Sequence, residues 1–137
     1  MIEYTVVGEF NLDDQQKISD WVLFTLDSEA KELGELNYIF CDDDYLHEIN
    51  IKSLNHNTLT DIISFDYTHG VVVSGDIYIS YERVKENSES LKQPFRDELH
   101  RVMIHGILHY CGYKDKLEAD KLRMREKEDY YLSLRTF

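Results

Sequence analysis

His105 and His109 stand four residues apart, Gly112 follows three residues after the second, and Asp115 three after that. Written by type, the stretch is H-x-x-x-H-x-x-G-x-x-D. On a helix, residues at i and i+4 share one face, with Cβ atoms about 5–6 Å apart, so both imidazoles reach a single metal ion. Gly112 falls where helices commonly end in a left-handed residue, a conformation glycine adopts cheaply. The chain then turns back and offers Asp115 as a third ligand. Three protein ligands leave a tetrahedral ion one open position, which is how catalytic sites differ from closed structural ones. The chemistry implied is metal-dependent hydrolysis.

The spacing matches the metzincin protease signature H-E-x-x-H-x-x-G-x-x-H except at two positions. Gly106 stands where a protease carries the glutamate that acts as general base. Glycine moves no proton, so a metallopeptidase-like hydrolase is the least favoured reading. Asp115 replaces the third histidine, a tolerable change because a carboxylate oxygen binds zinc at about 2.0–2.2 Å. It lowers the charge of the site by one, so bound water is acidified less.

The elements that must position these residues follow from periodicity and punctuation. Residues 2–7 alternate as a strand, and Asn11 or Asp13 is placed to cap a helix through Trp21, Val22 and Leu26. Glu35–Cys41 reads as a second strand. Asp42, Asp43 and Asp44 open a short helix, with carboxylates at its positive end. Asp61–Phe65 and Ser74–Ser80 are further strands, and Gly75-Asp76 reads as a turn. Pro94 starts the motif helix. Its Leu99, Val102, Met103, Gly106, Ile107 and Tyr110 form a buried back, and Glu98, Arg101, His105 and His109 share the other face. A last helix spans about 117–133. The fold class expected is α+β: one domain over 1–137, a small mixed sheet of about four strands packed with about five helices.

Composition sets the limits. A chain of 137 residues supports one core, and it has no apolar run long enough for a membrane span. Its first residues read as a strand and not as a signal peptide. The two cysteines, Cys41 and Cys111, make no disulfide framework, so a reduced cytoplasm is expected. Net charge is −12, unevenly spread: residues 1–100 carry 7 Lys/Arg against 21 Asp/Glu, and residues 101–137 carry 8 against 6. The acidic bias stops where the metal motif begins. Arg101, Lys114, Lys116, Lys121, Arg123, Arg125 and Lys127 gather around it, a solvated helix face or a phosphate-binding patch. The acidic N-terminal portion, with Asp42, Asp43 and Asp44, fits docking to a basic partner such as a ribosomal protein.

Three blocks in order and at matching spacing resemble the YbeY endoribonuclease (rRNA maturation factor) family over nearly the whole chain. They are Ile49-Asn50 followed by Thr60-Asp61-Ile62-Ile63-Ser64-Phe65, then Gly75-Asp76-Ile77-Tyr78-Ile79-Ser80, then Glu98 through Asp115. The resemblance implies a cytoplasmic, single-domain, zinc-dependent endoribonuclease of the single-strand type. Its expected roles are rRNA maturation, including processing of the 16S rRNA 3′ end, and ribosome quality control. Partners implied are ribosomal RNA and the ribosome or its proteins, with no DNA and no membrane. Family members usually end the motif with a third histidine, where this chain has Asp115. They usually carry an arginine six residues before the Thr-Asp block, where this chain has Leu54. Lys52, His56, Arg96, Arg101 and Lys114 are candidates to supply that charge in its place. The second reading is therefore a catalytically weak, ribosome-associated zinc-binding protein.

The mechanism expected is RNA phosphodiester hydrolysis on one zinc ion held by His105, His109 and Asp115. Arg101, four residues before His105, would stabilise developing charge. Glu98 is placed to orient a ligand histidine or to move a proton, and Asp115 is a second candidate for the base. His47 and His69 read as surface residues, and His56 as surface or cleft wall. His100, five residues from His105, is off the ligand face. Asn50 and Thr60 are expected to cap or bridge the cleft wall, and Tyr78 and Tyr81 to be half-buried.

Overall fold

The computed structural model describes residues 1–137. Nine elements follow in order: β1 (Ile2–Val6), α1 (Gln15–Ser28), β2 (Glu32–Cys41), α2 (Asp43–Leu54), β3 (Ile62–Asp66), β4 (Val72–Ser80), α3 (Tyr81–Ser90), α4 (Phe95–Tyr110) and α5 (Glu118–Ser133). The sheet runs β1-β2-β4-β3, with β1, β2 and β4 parallel and β3 antiparallel to β4. This is the α+β class with a mixed sheet of four strands and five helices.

Side-chain alternation divides the sheet into a buried face and a partly covered one. Leu36, Tyr38 and Phe40 of β2 lie beside Gly75, Ile77 and Ile79 of β4, all on the side of the main core. α1 and α4 pack there: Ile18, Trp21, Val22 and Leu26 come from α1, and Val102, Met103, Ile104 and Ile107 from α4. The opposite face carries a smaller cluster of Cys41, Leu46 and Ile63 beneath α2. Ile62 and Ser64 of β3 pair with Ile79 and Ile77 and so lie on the α4 side, which brings the strand to the site.

Two glycines let α4 lie close on the sheet. A Cβ on Gly106 would sit 2.9 Å from Ile77 Cδ1 and 3.3 Å from Ile62 Cδ1, and one on Gly75 would meet the Tyr110 ring at 2.6 Å. The Tyr110 hydroxyl donates to the carbonyls of Phe65 or Asp76, at 3.0 and 3.1 Å. Gly75-Asp76 is therefore the middle of β4 and not a turn. Asp76 accepts a hydrogen bond from Asn37 on the outer face at 2.9 Å.

Local signals moved several boundaries. Asn11 donates to Asp13 at 3.1 Å, so neither side chain caps α1, which begins after Asp14 instead. Asp42 does cap α2, accepting from the Tyr45 amide at 2.8 Å. Pro94 lies just before α4, with its carbonyl accepting from the amides of Asp97 and Glu98. α3 had no apolar stripe to reveal it. Only Val84 and Ser88 of its residues are buried, and Ser80 caps it by accepting from the Arg83 amide at 3.1 Å.

Candidate metal centre

α4 brings His105 and His109 to one side, with ring centroids 4.5 Å apart. The helix then stops on a Schellman motif. The Gly112 amide donates to the His109 carbonyl at 3.0 Å and the Tyr113 amide to the Leu108 carbonyl at 3.1 Å. Gly112 takes φ 104°, with open space around it, so the backbone conformation and not crowding requires glycine there. The reversal carries Asp115 back over the helix end. Its Oδ2 lies 3.3 Å from Nε2 of His105 and 3.3 Å from Nε2 of His109.

Those separations suit a shared ion. Bonds of about 2.0–2.2 Å in a tetrahedron place ligand atoms about 3.3–3.6 Å apart. All three ligand atoms lie within 4.8 Å of one another, and the three residues are half-buried, leaving room for water or substrate.

Each imidazole is held from behind, which fixes its tautomer. His105 Nδ1 donates to Glu128 Oε2 at 2.6 Å, and His109 Nδ1 donates to the Tyr113 carbonyl at 2.9 Å. Both Nε2 lone pairs are thereby free to ligate an ion placed between them and Asp115. Glu128, on α5, is buried and also accepts from Arg101 Nη1 at 2.8 Å. Burial pulls the His105 pKa down, but the hydrogen bond and charge of Glu128, helped by Asp115 and Asp61, outweigh it and raise the pKa.

The site opens into a cleft of 590 Å³ between β3, α4 and α5. Arg101 lines it as expected, with its guanidinium engaged by Glu128 and, at 2.6 Å, by Asp129. Glu98 lines it too, yet Glu128 is the carboxylate that backs a histidine. Lys121, Arg125 and Glu128 fall at i, i+4 and i+7 along α5, one helical face that brings two cations of the expected phosphate-binding patch to the cleft and adds Glu128, which the charge pattern did not mark. Asp61 also faces the cleft, with its carboxyl pKa raised by burial, and Glu98 is raised for the same reason. The Thr60-Asp61 block carries the family resemblance, but nothing in its spacing places Asp61 in the cleft.

Arg96, Lys52, His56 and Lys114 stand away from this cleft and so do not supply its positive charge. Arg96 pairs with Asp14 at 2.8 Å, and the other three do not line the cavity. His47 bonds Asn57 at 2.9 Å, His69 is exposed, and His100 of α4 is buried against Trp21 and Phe137. Asn50 bridges to the Thr58 carbonyl at 2.8 Å, and Tyr78 and Tyr81 are half-buried.

A family model described as Endoribonuclease YbeY matches residues 7–135. Two relatives of that name come from Flavobacterium johnsoniae and Flavobacterium psychrophilum. They are 55% and 57% identical over 134 residues, covering 98% of this chain and 96% of each relative. The chain belongs to the endoribonuclease YbeY family. A Thermotoga maritima protein known from a solution structure shares the fold, with a TM-score of 0.71 and 26% identity over 97% of this chain and 87% of that one. Within the YbeY frame, Leu54 ends α2 and is 42% exposed, so no buried partner awaits an arginine there. No helix of this family member is long and apolar enough to cross a membrane.

Proposed function

We propose that this chain is a zinc-dependent endoribonuclease. It hydrolyses phosphodiester bonds in single-stranded regions of ribosomal RNA, including the 16S 3′ end, and serves ribosome quality control in the cytoplasm with the ribosome as partner. Its 137 residues act as one domain. The observation that carries this reading is Asp115 Oδ2, equidistant at 3.3 Å from the two histidine Nε2 atoms at the floor of an open cleft. Two nitrogens and one oxygen in that compact arrangement suit zinc. A divalent ion held there supplies Lewis acidity and an acidified water.

The residues of the chain do the rest. Glu128 and the Tyr113 carbonyl hold the two imidazoles in the ligating tautomer. Asp61 and Glu98 line the cleft with carboxyls whose pKa burial raises, and they are the proton-transfer groups where Gly106 offers nothing. Arg101 donates one N–H to Glu128 and one to Asp129, and its remaining guanidinium N–H groups are the donors for the phosphoryl oxygens. Four carboxylates (Asp61, Glu98, Asp115 and Glu128) face three cations (Arg101, Lys121 and Arg125) in the cleft, so a divalent ion tips the balance toward a polyanion.

Elemental analysis of wild type and Asp115→Ala, each followed by a structured-RNA cleavage assay, tests this. The expected result is one zinc per chain, weakened by the substitution, with cleavage that EDTA abolishes and zinc restores. Bound zinc without cleavage would favour the ribosome-associated binding reading to which Leu54 points. Peptide cleavage would overturn both.

A further inference from the structure

A second cavity of 400 Å³ adjoins the metal cleft, and Glu98, Arg101 and Arg125 form the wall between them. The charges on that wall are unequal. Arg101 is neutralised by Glu128 and Asp129 at 2.8 and 2.6 Å. Arg135, deeper in the second cavity, is neutralised by Asp97 at 3.0 Å and also donates to His100 at 2.7 Å. These pairings neutralise Asp97 and Asp129 as well, and Glu98 is buried. Arg125 makes no ion pair and is exposed, so it is the free cation standing between the two cavities. Beyond it, Leu91 and Leu132 offer apolar surface, and Gln93 and Ser133 offer an amide and a hydroxyl oxygen.

We propose that this second cavity is a nucleotide subsite, in which Arg125 holds the phosphate that links the nucleotide at the metal to its neighbour along the RNA strand. The proposal rests on the endoribonuclease reading above and names where its substrate extends. A guanidinium can hold a phosphate, Leu91 and Leu132 give an apolar surface against which a base can lie, and Gln93 and Ser133 offer partners for base edges, so the cavity has a contact for each part of a single-stranded nucleotide. The surface around Glu9, Phe10 and Glu82 is also concave but carries four glutamates against Lys85, which repels a phosphate chain.

The test uses zinc-loaded full-length protein, a dinucleotide, and single-stranded oligoribonucleotides extended beyond it on either side. In wild type, extension on one side raises kcat/KM. Arg125→Ala removes that gain, roughly tenfold, the scale of one lost hydrogen bond to a charged group, and flattens the plot of log affinity against log salt by about 0.7, the contribution of one single-strand phosphate contact. Gln93→Glu, at the exposed rim, weakens the extended substrate more than the dinucleotide. Lys17→Ala, on an exposed lysine of α1 outside both cavities, changes neither quantity. An unchanged salt slope in Arg125→Ala, or equal losses on short and extended substrates, would overturn the subsite. If wild type cleaves but extension adds nothing, the subsite falls and the nuclease reading stands. If wild type neither binds nor cleaves any of these RNAs, both fall.

Discussion

His100 and His105 lie on the same helix five residues apart, and their surroundings give them opposite chemistry. His100 is 2% exposed, with its ring against Trp21 and Phe137, and its Nδ1 accepts a hydrogen bond from Arg135 at 2.7 Å. Burial, then Arg135 and Arg96, push its pKa down to about 4, against the weaker pull of Asp97 and Asp14. His105 donates from Nδ1 to a buried carboxylate and is shifted the other way, with Nε2 facing an open cleft. A cation behind the ring makes a histidine a neutral packing residue. A carboxylate behind it leaves Nε2 free to ligate a metal.

The sharpest break of that contrast is at the metal. His105→Ala leaves two protein ligands and should weaken zinc by more than about 100-fold, since even the loss of a supporting partner costs about 10–100-fold. His100→Gln, which keeps an acceptor for Arg135, should bind one zinc with wild-type affinity. Competition against a chelator of known strength measures both, and stoichiometric tight zinc in His105→Ala would remove the basis for the site.

The second difference shows in stability against pH. His100 takes up its proton at about 4 when folded and near 6.5 when unfolded, so the unfolded chain binds more protons between those values. Stability should be intact above about pH 6.5 and fall progressively toward pH 4, by up to about 3 kcal/mol. Chemical unfolding of metal-free protein across that window should show the decline, and His100→Gln should flatten it. A decline of equal size in the variant would assign it to other groups.

Glu128→Gln tests the carboxylate that makes the difference. The amide retains an oxygen to accept from His105 but loses the charge, and Arg101 loses one of its two anions. Zinc affinity should fall about 10–100-fold, with little change from Glu98→Gln, whose side chain bonds neither histidine. The reverse order would restore Glu98 to the role that helix periodicity first gave it.

That reversal marks how far the sequence could be read. His105, His109, Gly112 and Asp115 were legible because their geometry is local: one helical face, one left-handed stop, one reversal. The buried back of α4 was legible for the same reason, since Leu99, Val102, Met103, Gly106, Ile107 and Tyr110 recur at helical spacing and are all buried. Glu128 was not legible, since α5 is charged nearly throughout and only its packing against α4 singles out one carboxylate. Asp61 and the interior position of Gly75-Asp76 depend on pairing β3 with β4 and on Tyr110 crossing the sheet. Those contacts are long-range, and no spacing encodes them.

The smallest expected effect concerns the other proposed ligand, His109, which a carboxylate reaches only at one remove. Its Nδ1 donates to the Tyr113 carbonyl, and the Tyr113 hydroxyl donates to Glu29 at 2.8 Å at the end of α1. Glu29 also accepts from the Tyr131 hydroxyl and lies 3.6 Å from Lys127 Nζ. Glu29→Gln keeps an oxygen for one tyrosine, and the Schellman bonds still set the carbonyl's direction. Zinc affinity should therefore fall only about two- to five-fold, well short of the loss of a direct backing partner. Metal-free stability should fall by about 1 kcal/mol, the scale of one weakened hydrogen bond. A zinc loss matching that of Glu128→Gln would mean that a clasp acting through a tyrosine and a backbone carbonyl holds its ligand as firmly as a carboxylate in contact, and the distinction between the two halves of the site would not stand.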